Sequence, residues 1–331
     1  MAAAISSLVA SPLADEYDFE VVRTYIGPGR LERLKVFARS LLRLGRWCRG
    51  EGVRLVHIHM AARGSMYRKA VVVPLAKALR RPVLLHVHAG PGDLDAFFDR
   101  LGPLRIGALR RSLALADTIV AVSGASAEVL RRRLVDAEIT VVPNAPPPLV
   151  EIRPPRGDGP VLALFLGGFA NPAKGGAALF EALPALVGAA PDLEVVMAGP
   201  GEPPGPLPVG CEWRGWLEAD GRRLAFEEAD LFVMPSLSEG MPIALLEAMS
   251  NRIAVVATKV GGIPEILDDG VDALLVDPGR PDQLVEAISL LAGDEDRRAE
   301  LSAAGAARME RLASDDVYGQ LRQIYVRLAS R

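Results

Sequence analysis

The sequence predicts an α/β protein of two Rossmann-like domains, with parallel sheets facing across a cleft. Three observations predict it. Short β-branched runs alternate with longer helical patterns along the whole chain. Several of those runs are apolar throughout, as strands buried on both faces are. A break rich in Pro and Gly falls near the middle, from Asn144-Ala145-Pro146-Pro147-Pro148 to Gly157-Asp158-Gly159-Pro160.

Before the break the expected strands are residues 20–25, 54–60, 82–89, 118–123 and 139–143. After it they are 161–167, 193–198, 231–235, 253–258 and 273–276. Helical patterns lie between them, among them 30–49, 65–79 and 173–187. The domains are therefore drawn at 1–148 and 149–315, with a last helix at 316–328 that could pack back on the first. A domain of this type usually opens with a strand and a glycine-rich turn. This chain opens with a helical stretch, 2–9, so the expectation is that a strand and turn are missing and the first sheet has an open edge.

With 331 residues, half of them hydrophobic, the chain can bury two cores. No apolar run approaches the ~20 residues of a membrane-spanning helix. Cys48 and Cys211 stand far apart in no metal-like spacing, and no basic leader opens the sequence, which favours a reducing, cytoplasmic setting. Residues 1–148 hold 22 Lys and Arg against 13 Asp and Glu, and the rest hold 16 against 28, so a net of +9 precedes a net of −12. A basic first half suits an anionic acceptor or a membrane surface, or simply solvated helix faces. In 30–49, Leu34, Phe37, Leu41, Leu44 and Trp47 recur near helical spacing among seven basic residues. That reads as a core-packed helix with a basic face, or as one lying on a membrane at the inner face. Nothing points to nucleic acid.

The strongest chemical signal is Pro235-Ser236-Leu237-Ser238-Glu239-Gly240-Met241-Pro242-Ile243-Ala244-Leu245-Leu246-Glu247. A strand ending at Pro235 delivers this loop to the carboxyl edge of a parallel sheet, where ligands bind. Pro242 suits the first turn of the next helix, whose free N–H groups make an anion site. Glu247 falls in an apolar, hence buried, helix, where a carboxylate needs partners: sugar hydroxyls, a capped backbone or an Arg.

The four histidines form two i,i+2 pairs, His57/His59 and His86/His88, each on one face of an expected strand. Were the strands neighbours, all four could converge, so a metal must be considered. No ligating Cys, Asp or Glu lies close by in sequence, and no metal is expected. Asp93-Leu94-Asp95 is taken as loop or helix-capping residues. No Gly-x-Gly-x-x-Gly after a strand, Gly-x4-Gly-Lys loop or Gly-x-Ser-x-Gly elbow occurs, which argues against a dinucleotide dehydrogenase, a P-loop NTPase and a serine hydrolase.

The span from Glu239 through Glu247 to Val260-Gly261-Gly262-Ile263-Pro264-Glu265 resembles the donor-site signature of the family 4 retaining glycosyltransferases, which have the GT-B fold. Weaker similarity runs through His57-Ile58-His59, Arg63 to Lys69, Leu85 to Ala89, Ala116 to Ser123 and Val141-Val142-Pro143-Asn144, and is to polysaccharide-assembling members. The resemblance implies that Glu239 holds sugar hydroxyls of a UDP-, GDP- or ADP-sugar and Glu247 the ribose. Gly240, Met241 and Pro242 would line sugar and phosphate. Lys174, in Gly167-Gly168-Phe169-Ala170-Asn171-Pro172-Ala173-Lys174, would neutralise the diphosphate, and His88 would bond the donor sugar and orient a saccharide or lipid-linked acceptor. No cofactor or metal is implied. Gly168 stands where the family usually places an Arg, so one phosphate cation is absent or comes from elsewhere. An epimerase, a phosphorylase or a nucleotide-sugar-binding protein without turnover would share these features.

Overall fold

A computed structural model describes residues 2–25, 29–50, 52–134, 138–150, 159–314 and 316–330. The chain divides into two compact units, Met1–Asn144 with Asp316–Arg331, and Ala145–Asp315.

The first unit holds a four-stranded parallel sheet of β1 (Val56–Met60), β2 (Val83–Val87), β3 (Thr118–Ala121) and β4 (Ile139–Val141), in that order. Every residue of β2 and β3 is buried, so their apolar runs are sealed on both faces. Helices Gly64–Ala78, Pro91–Asp99, Pro103–Leu113 and Gly124–Leu134 supply the crossovers. The last helix, Val317–Ala329, belongs to this unit and brings Tyr325, 1% exposed, against the rings of Tyr17 and Phe19. In helix Arg30–Arg49 the core-facing residues are Phe37, Leu41, Leu44 and Cys48. Leu34, expected on that face, is exposed, and Trp47 lies under the Arg43 guanidinium at 4.3 Å.

The second unit holds a six-stranded parallel sheet, ordered β10-β9-β8-β5-β6-β7. Its strands are β5 (Val161–Phe165), β6 (Leu193–Met197), β7 (Cys211–Trp213), β8 (Leu231–Met234), β9 (Ala254–Thr258) and β10 (Leu274–Val276). From β5 the chain builds outward to β6 and β7, then returns to place β8 on the other side of β5. The strand order therefore reverses between β5 and β8, the topological switch point where α/β sheets open a crevice at their carboxyl ends.

Two sequence expectations change. Residues 20–25 lie outside any strand: Lys69 donates to the Thr24 hydroxyl (2.9 Å) and the Arg68 guanidinium stacks on Tyr25, so β-branched content here serves packing onto helix Gly64–Ala78. β7, three residues between Gly210 and Arg214, was too short and too polar to be expected. Of the expected linker, residues 151–158 lie outside the described residues. The part before them is tied to the second unit, with Ser250 donating to the Pro147 carbonyl (3.1 Å) and the Val150 N–H to that of Ser250 (3.0 Å).

Candidate functional site

A pocket of about 260 Å³ opens at the switch point of the second sheet. Its walls come from the ends of β5 (Phe165, Leu166, Gly167) and β8 (Val233, Met234, Ser236), from Asn171 and Lys174, and from Glu239, Pro242, Ile243 and Ala244.

Backbone constraints place the polar groups. After β5 the chain turns through Gly168, at φ +62°, where the Phe169 and Ala170 N–H groups both donate to the Pro200 carbonyl at 2.8 Å. A one-turn helix, Pro172–Lys174, follows, capped by the Asn171 side chain, and ends on Gly175 at φ +75°. From there helix Gly176–Ala189 continues, and none of its residues lines the pocket. The Leu237 N–H donates to the Ala173 carbonyl (2.8 Å), joining this turn to the loop after β8. Lys174 Nζ thereby reaches both oxygens of Glu239, at 2.8 and 3.0 Å, and the Ser236 hydroxyl donates to the same carboxylate at 2.7 Å. Glu239 is 6% exposed while the Lys174 side chain keeps 38%, so the cation is open to a ligand and the carboxylate is held from behind.

Pro242 is the N-cap of helix Ile243–Ser250 rather than part of its first turn. The Leu245 and Leu246 N–H groups turn back to the Pro242 carbonyl. Those of Ile243 and Ala244 have no intrahelical partner by position, and both residues line the pocket. The positive end of the helix and the Lys174 ammonium thus flank one space lined also by the Gly167 backbone, an arrangement that attracts phosphate oxygens.

The sequence reading placed Glu247 in a helix buried all round. The structure leaves its side chain 24% exposed and joins it to Arg222 of helix Ala219–Glu228. Glu247 is one turn along from Ile243 and Ala244, on the face that lines the pocket, but does not line it itself. Gly168, Gly240 and Met241 also stay out of the lining. The Gly240 carbonyl accepts from the Gly262 N–H (2.8 Å) and Met241 is buried at 4%, so both shape the loop from within. The structure gathers Lys174, Glu239, Pro242 and Gly167, sets Glu247 beside them, and adds Ser236, Asn171 and Arg222. Ser236 is legible three residues before Glu239. Arg222 has no sequence signal, because its pairing spans a fold contact.

Gly168 is glycine for a steric reason. A Cβ there would lie 2.4 Å from the Pro200 carbonyl oxygen and 2.6 Å from its nitrogen, both backbone atoms. The backbone crossing with Gly199 and Pro200 occupies the room in which a side chain would start.

His88 lies in the first unit. The parallel register sets His59 opposite His86, so the four histidines stack as two rows on adjacent strands. His57 Nδ1 meets the Tyr325 hydroxyl at 2.7 Å, His57 Nε2 meets His86 Nδ1 at 3.2 Å, and His59 Nδ1 meets His88 Nε2 at 2.8 Å. Burial, with neighbouring imidazoles adding, holds His57, His59 and His88 well below the usual histidine range, and burial alone pushes His86 down to about 3. All four are neutral at pH 7. Asp93 and Asp95 lie inside helix Pro91–Asp99, whose N-cap is Gly90. Asp95 is held by Arg132 and Arg133 at 2.7 Å, so the capping expectation gives way to ion pairing.

Comparison with known proteins agrees with this architecture. The family described as "Glycosyltransferase Family 4" matches residues 6–146, and "Glycosyl transferases group 1" matches 160–294. The chain belongs to the family 4 glycosyltransferases. A phosphatidyl-myo-inositol mannosyltransferase of Mycolicibacterium smegmatis is 31% identical over 194 residues, 56% of this chain and 50% of that protein. An alpha-maltose-1-phosphate synthase of the same organism is 36% identical over 130 residues, 37% and 34% of the two chains. The chain spans about half the length of the first of these relatives and less of the second. Among solved structures, sucrose-phosphate synthase of Thermosynechococcus elongatus superposes with a TM-score of 0.74 at 20% identity, covering 92% of this chain and 81% of that one. Anabaena HepE in complex with UDP-glucose gives 0.68 at 18%, covering 88% and 82%. The fold is GT-B, two parallel-sheet α/β units.

Proposed function

We propose that this family 4 member transfers a sugar from a nucleoside-diphosphate sugar to an acceptor hydroxyl with retention at the anomeric carbon. The observation that carries the reading is the switch-point pocket, where Lys174, Glu239 and a free helix N-terminus meet. Lys174 and the N–H groups of Ile243 and Ala244 stabilise charge on the departing diphosphate, which needs no metal. Glu239, steadied by Ser236, releases part of its bond to Lys174 and grips sugar hydroxyls. Glu247 exchanges Arg222 for the ribose. The Gly167 to Gly168 turn and the Gly240 to Met241 segment keep the backbone close to sugar and phosphate. His88, neutral and carrying its proton on one ring nitrogen only, bonds the donor sugar and orients the acceptor. The leaving phosphate accepts the acceptor's proton on the same face, so retention follows without a separate base.

The donor is a UDP-, GDP- or ADP-sugar; HepE, a fold relative, was solved with UDP-glucose. The acceptor is a saccharide or lipid-linked saccharide, or a lipid headgroup in the manner of the mannosyltransferase relative's name. Among the described residues no helix is long and apolar enough to cross a membrane. Peripheral contact from the cytoplasmic side would use helix Arg30–Arg49. Its Leu31, Leu34 and Leu42 are 67, 66 and 72% exposed among basic residues, an amphipathic stripe fit for an anionic surface.

The test is a thermal-shift panel of UDP-, GDP- and ADP-sugars on the protein and on Glu247→Ala, followed by transfer assays with the sugar that stabilises. One donor class should raise the melting temperature, and the variant should lose that rise. Equal shifts in both proteins remove Glu247 from the site. Conversion of donor without acceptor would mean an epimerase, a need for inorganic phosphate would mean a phosphorylase, and binding without turnover would mean that the missing cation at Gly168 has cost the chemistry.

A further inference from the structure

The two i,i+2 histidine pairs raise a metal, but no Cys, Asp or Glu lies close by in sequence. The fold brings the imidazoles together instead. One ring nitrogen each from His57, His59 and His86 lie within 4.8 Å of one another. His57 Nε2 and His86 Nδ1 face at 3.2 Å, close to the edge of a tetrahedron built from Zn–N bonds of ~2.0–2.1 Å. Two neutral imidazoles meeting nitrogen to nitrogen share one proton, and an ion can take that proton's place.

The surrounding hydrogen bonds select the tautomers such an ion requires. The Tyr325 hydroxyl can accept from His57 Nδ1–H, which leaves the lone pair on Nε2, facing His86. His59 Nδ1–H can donate to His88 Nε2, which leaves the lone pair of His59 on its own Nε2. Histidine ligands are ordinarily held this way, through the ring nitrogen that does not bind. His86 is 4% exposed, and its Nε2 has no hydrogen-bond partner. Lys69, buried at 8% exposure, is a cation near His59 and opposes an ion there.

We propose that His57, His59 and His86 form a binding site for one divalent transition-metal ion of the zinc class. Two ligands are in place. The third, on His59, lies within 4.8 Å of both and closes on the ion while its Nδ1–H keeps the bond to His88. The fourth position is open for water. The ion ties β1 to β2 and, through Tyr325, to the last helix. It meets sugar transfer as read above only at His88, which bonds His59; that transfer uses no metal, so failure of the ion to bind leaves it standing.

Calorimetric titration of the full chain with Zn²⁺ at pH 7.5 tests this, with metal analysis after dialysis. One ion per chain should bind with a micromolar or tighter dissociation constant. His59→Asn should weaken binding by tenfold or more. Tyr325→Phe, which removes only the hydroxyl behind His57, should weaken it by about 10–100-fold. Absence of binding, or equal binding in both variants, overturns the site. Should a variant fail to fold, Co²⁺ bound to the unaltered protein still decides. Visible d–d absorption without a thiolate charge-transfer band supports the imidazole site. A thiolate band, lost in Cys48→Ser or Cys211→Ser, refutes it.

Discussion

Replacing Gly175 by Ala tests whether the turn that delivers Lys174 is built as described. At φ +75° an L-residue costs about 1–2 kcal/mol in any surroundings. Here the added Cβ would also lie 1.8 Å from the Pro235 carbonyl oxygen and 2.5 Å from its carbonyl carbon. Both are backbone atoms, so no rotamer change relieves the overlap and the loop after β8 must shift. Forced repacking of that kind costs a further ~1–3 kcal/mol. The second unit should therefore lose about 3 kcal/mol, which for a unit of this size is a fall in melting temperature of roughly 6–12 °C. Gly188→Ala is the control. Gly188 lies in helix Gly176–Ala189 with nothing within 4 Å of an added Cβ, so alanine there should add up to about 1 kcal/mol. Calorimetric scans of the two variants beside the parent measure both. Because Pro235 leads into Ser236 and Glu239, Gly175→Ala should also blunt the thermal shift given by the stabilising nucleotide sugar. A fall below 2 °C, or a change of the same sign and size in both variants, would refute the close approach.

Gly168→Arg, which restores the family's usual residue, should destabilise the second unit by about 2 kcal/mol or more rather than tighten donor binding, since its Cβ meets the Pro200 backbone at 2.4 Å; a stable variant with improved affinity would contradict this. Lys174→Met should weaken nucleotide-sugar binding by about 10–100-fold, the worth of a charge-assisted bond, measured by calorimetry; unchanged affinity would exclude Lys174. Arg308→Met removes the nearer of two Arg partners of Asp272, 2% exposed and bonded by Arg308 at 2.9 Å, leaving Arg311 at 4.0 Å and the Asp268 N–H at 3.0 Å, and should cost about 1–3 kcal/mol in urea unfolding, whereas a cost under about 0.5 kcal/mol would mean that the pair is dispensable. Finally, burial lowers His86 from 6.5 to about 3, so the unfolded chain takes up a proton that the folded one refuses. Stability from this residue is complete above pH 6.5 and falls as the pH drops between 6.5 and about 3, by about 1.4 kcal/mol per pH unit. Urea midpoints at pH 7.5 and 5.5 should show the loss, and His86→Leu should reduce it; a flat profile in the parent rules it out.

Among the described residues nine of the ten strands were legible, most of them as apolar runs such as Leu231 to Met234 and Ala254 to Thr258, every residue of which is buried. β7 was missed because an edge strand of three residues, Cys211–Trp213, alternates in burial and needs only its neighbour β6 to form. Residues 20–25 failed the other way. Val21 is 41% and Tyr25 47% exposed, so β-branched composition there reports no ladder, and Thr24 and Tyr25 are spent on Lys69 and Arg68. Periodicity likewise found helix Arg30–Arg49 and its core residues Phe37, Leu41 and Leu44, but misjudged the edges of that face: Leu34 points to solvent and Cys48, 1% exposed, to the core. A stripe of leucines on both sides of a basic helix leaves the rotation undetermined until a partner element is known.

The candidate site divides along the same line. Glu239 and Ser236 are three residues apart, and Pro242 opens the helix beside them, so their meeting follows from one strand, one turn and one cap. Lys174 is brought in by a glycine that only makes sense once Pro235 is seen against it. Glu247 was expected to be buried from the apolar letters around it, yet those residues seal the other faces of helix Ile243–Ser250 and leave Glu247 on the stripe with Ile243 and Ala244. Its partner Arg222 comes from a helix that precedes β8 and reaches it only through the fold of the sheet. That pair bears on the chemistry. With 35 and 24% side-chain exposure it is worth at most about 1 kcal/mol, less than the hydrogen bonds a ribose diol offers a carboxylate. Arg222 is thus held in a bond weak enough to be exchanged. A carboxylate kept partly exposed and loosely paired beside an open helix N-terminus is better suited to a ligand than one sealed in the core, which is where the sequence alone had placed it.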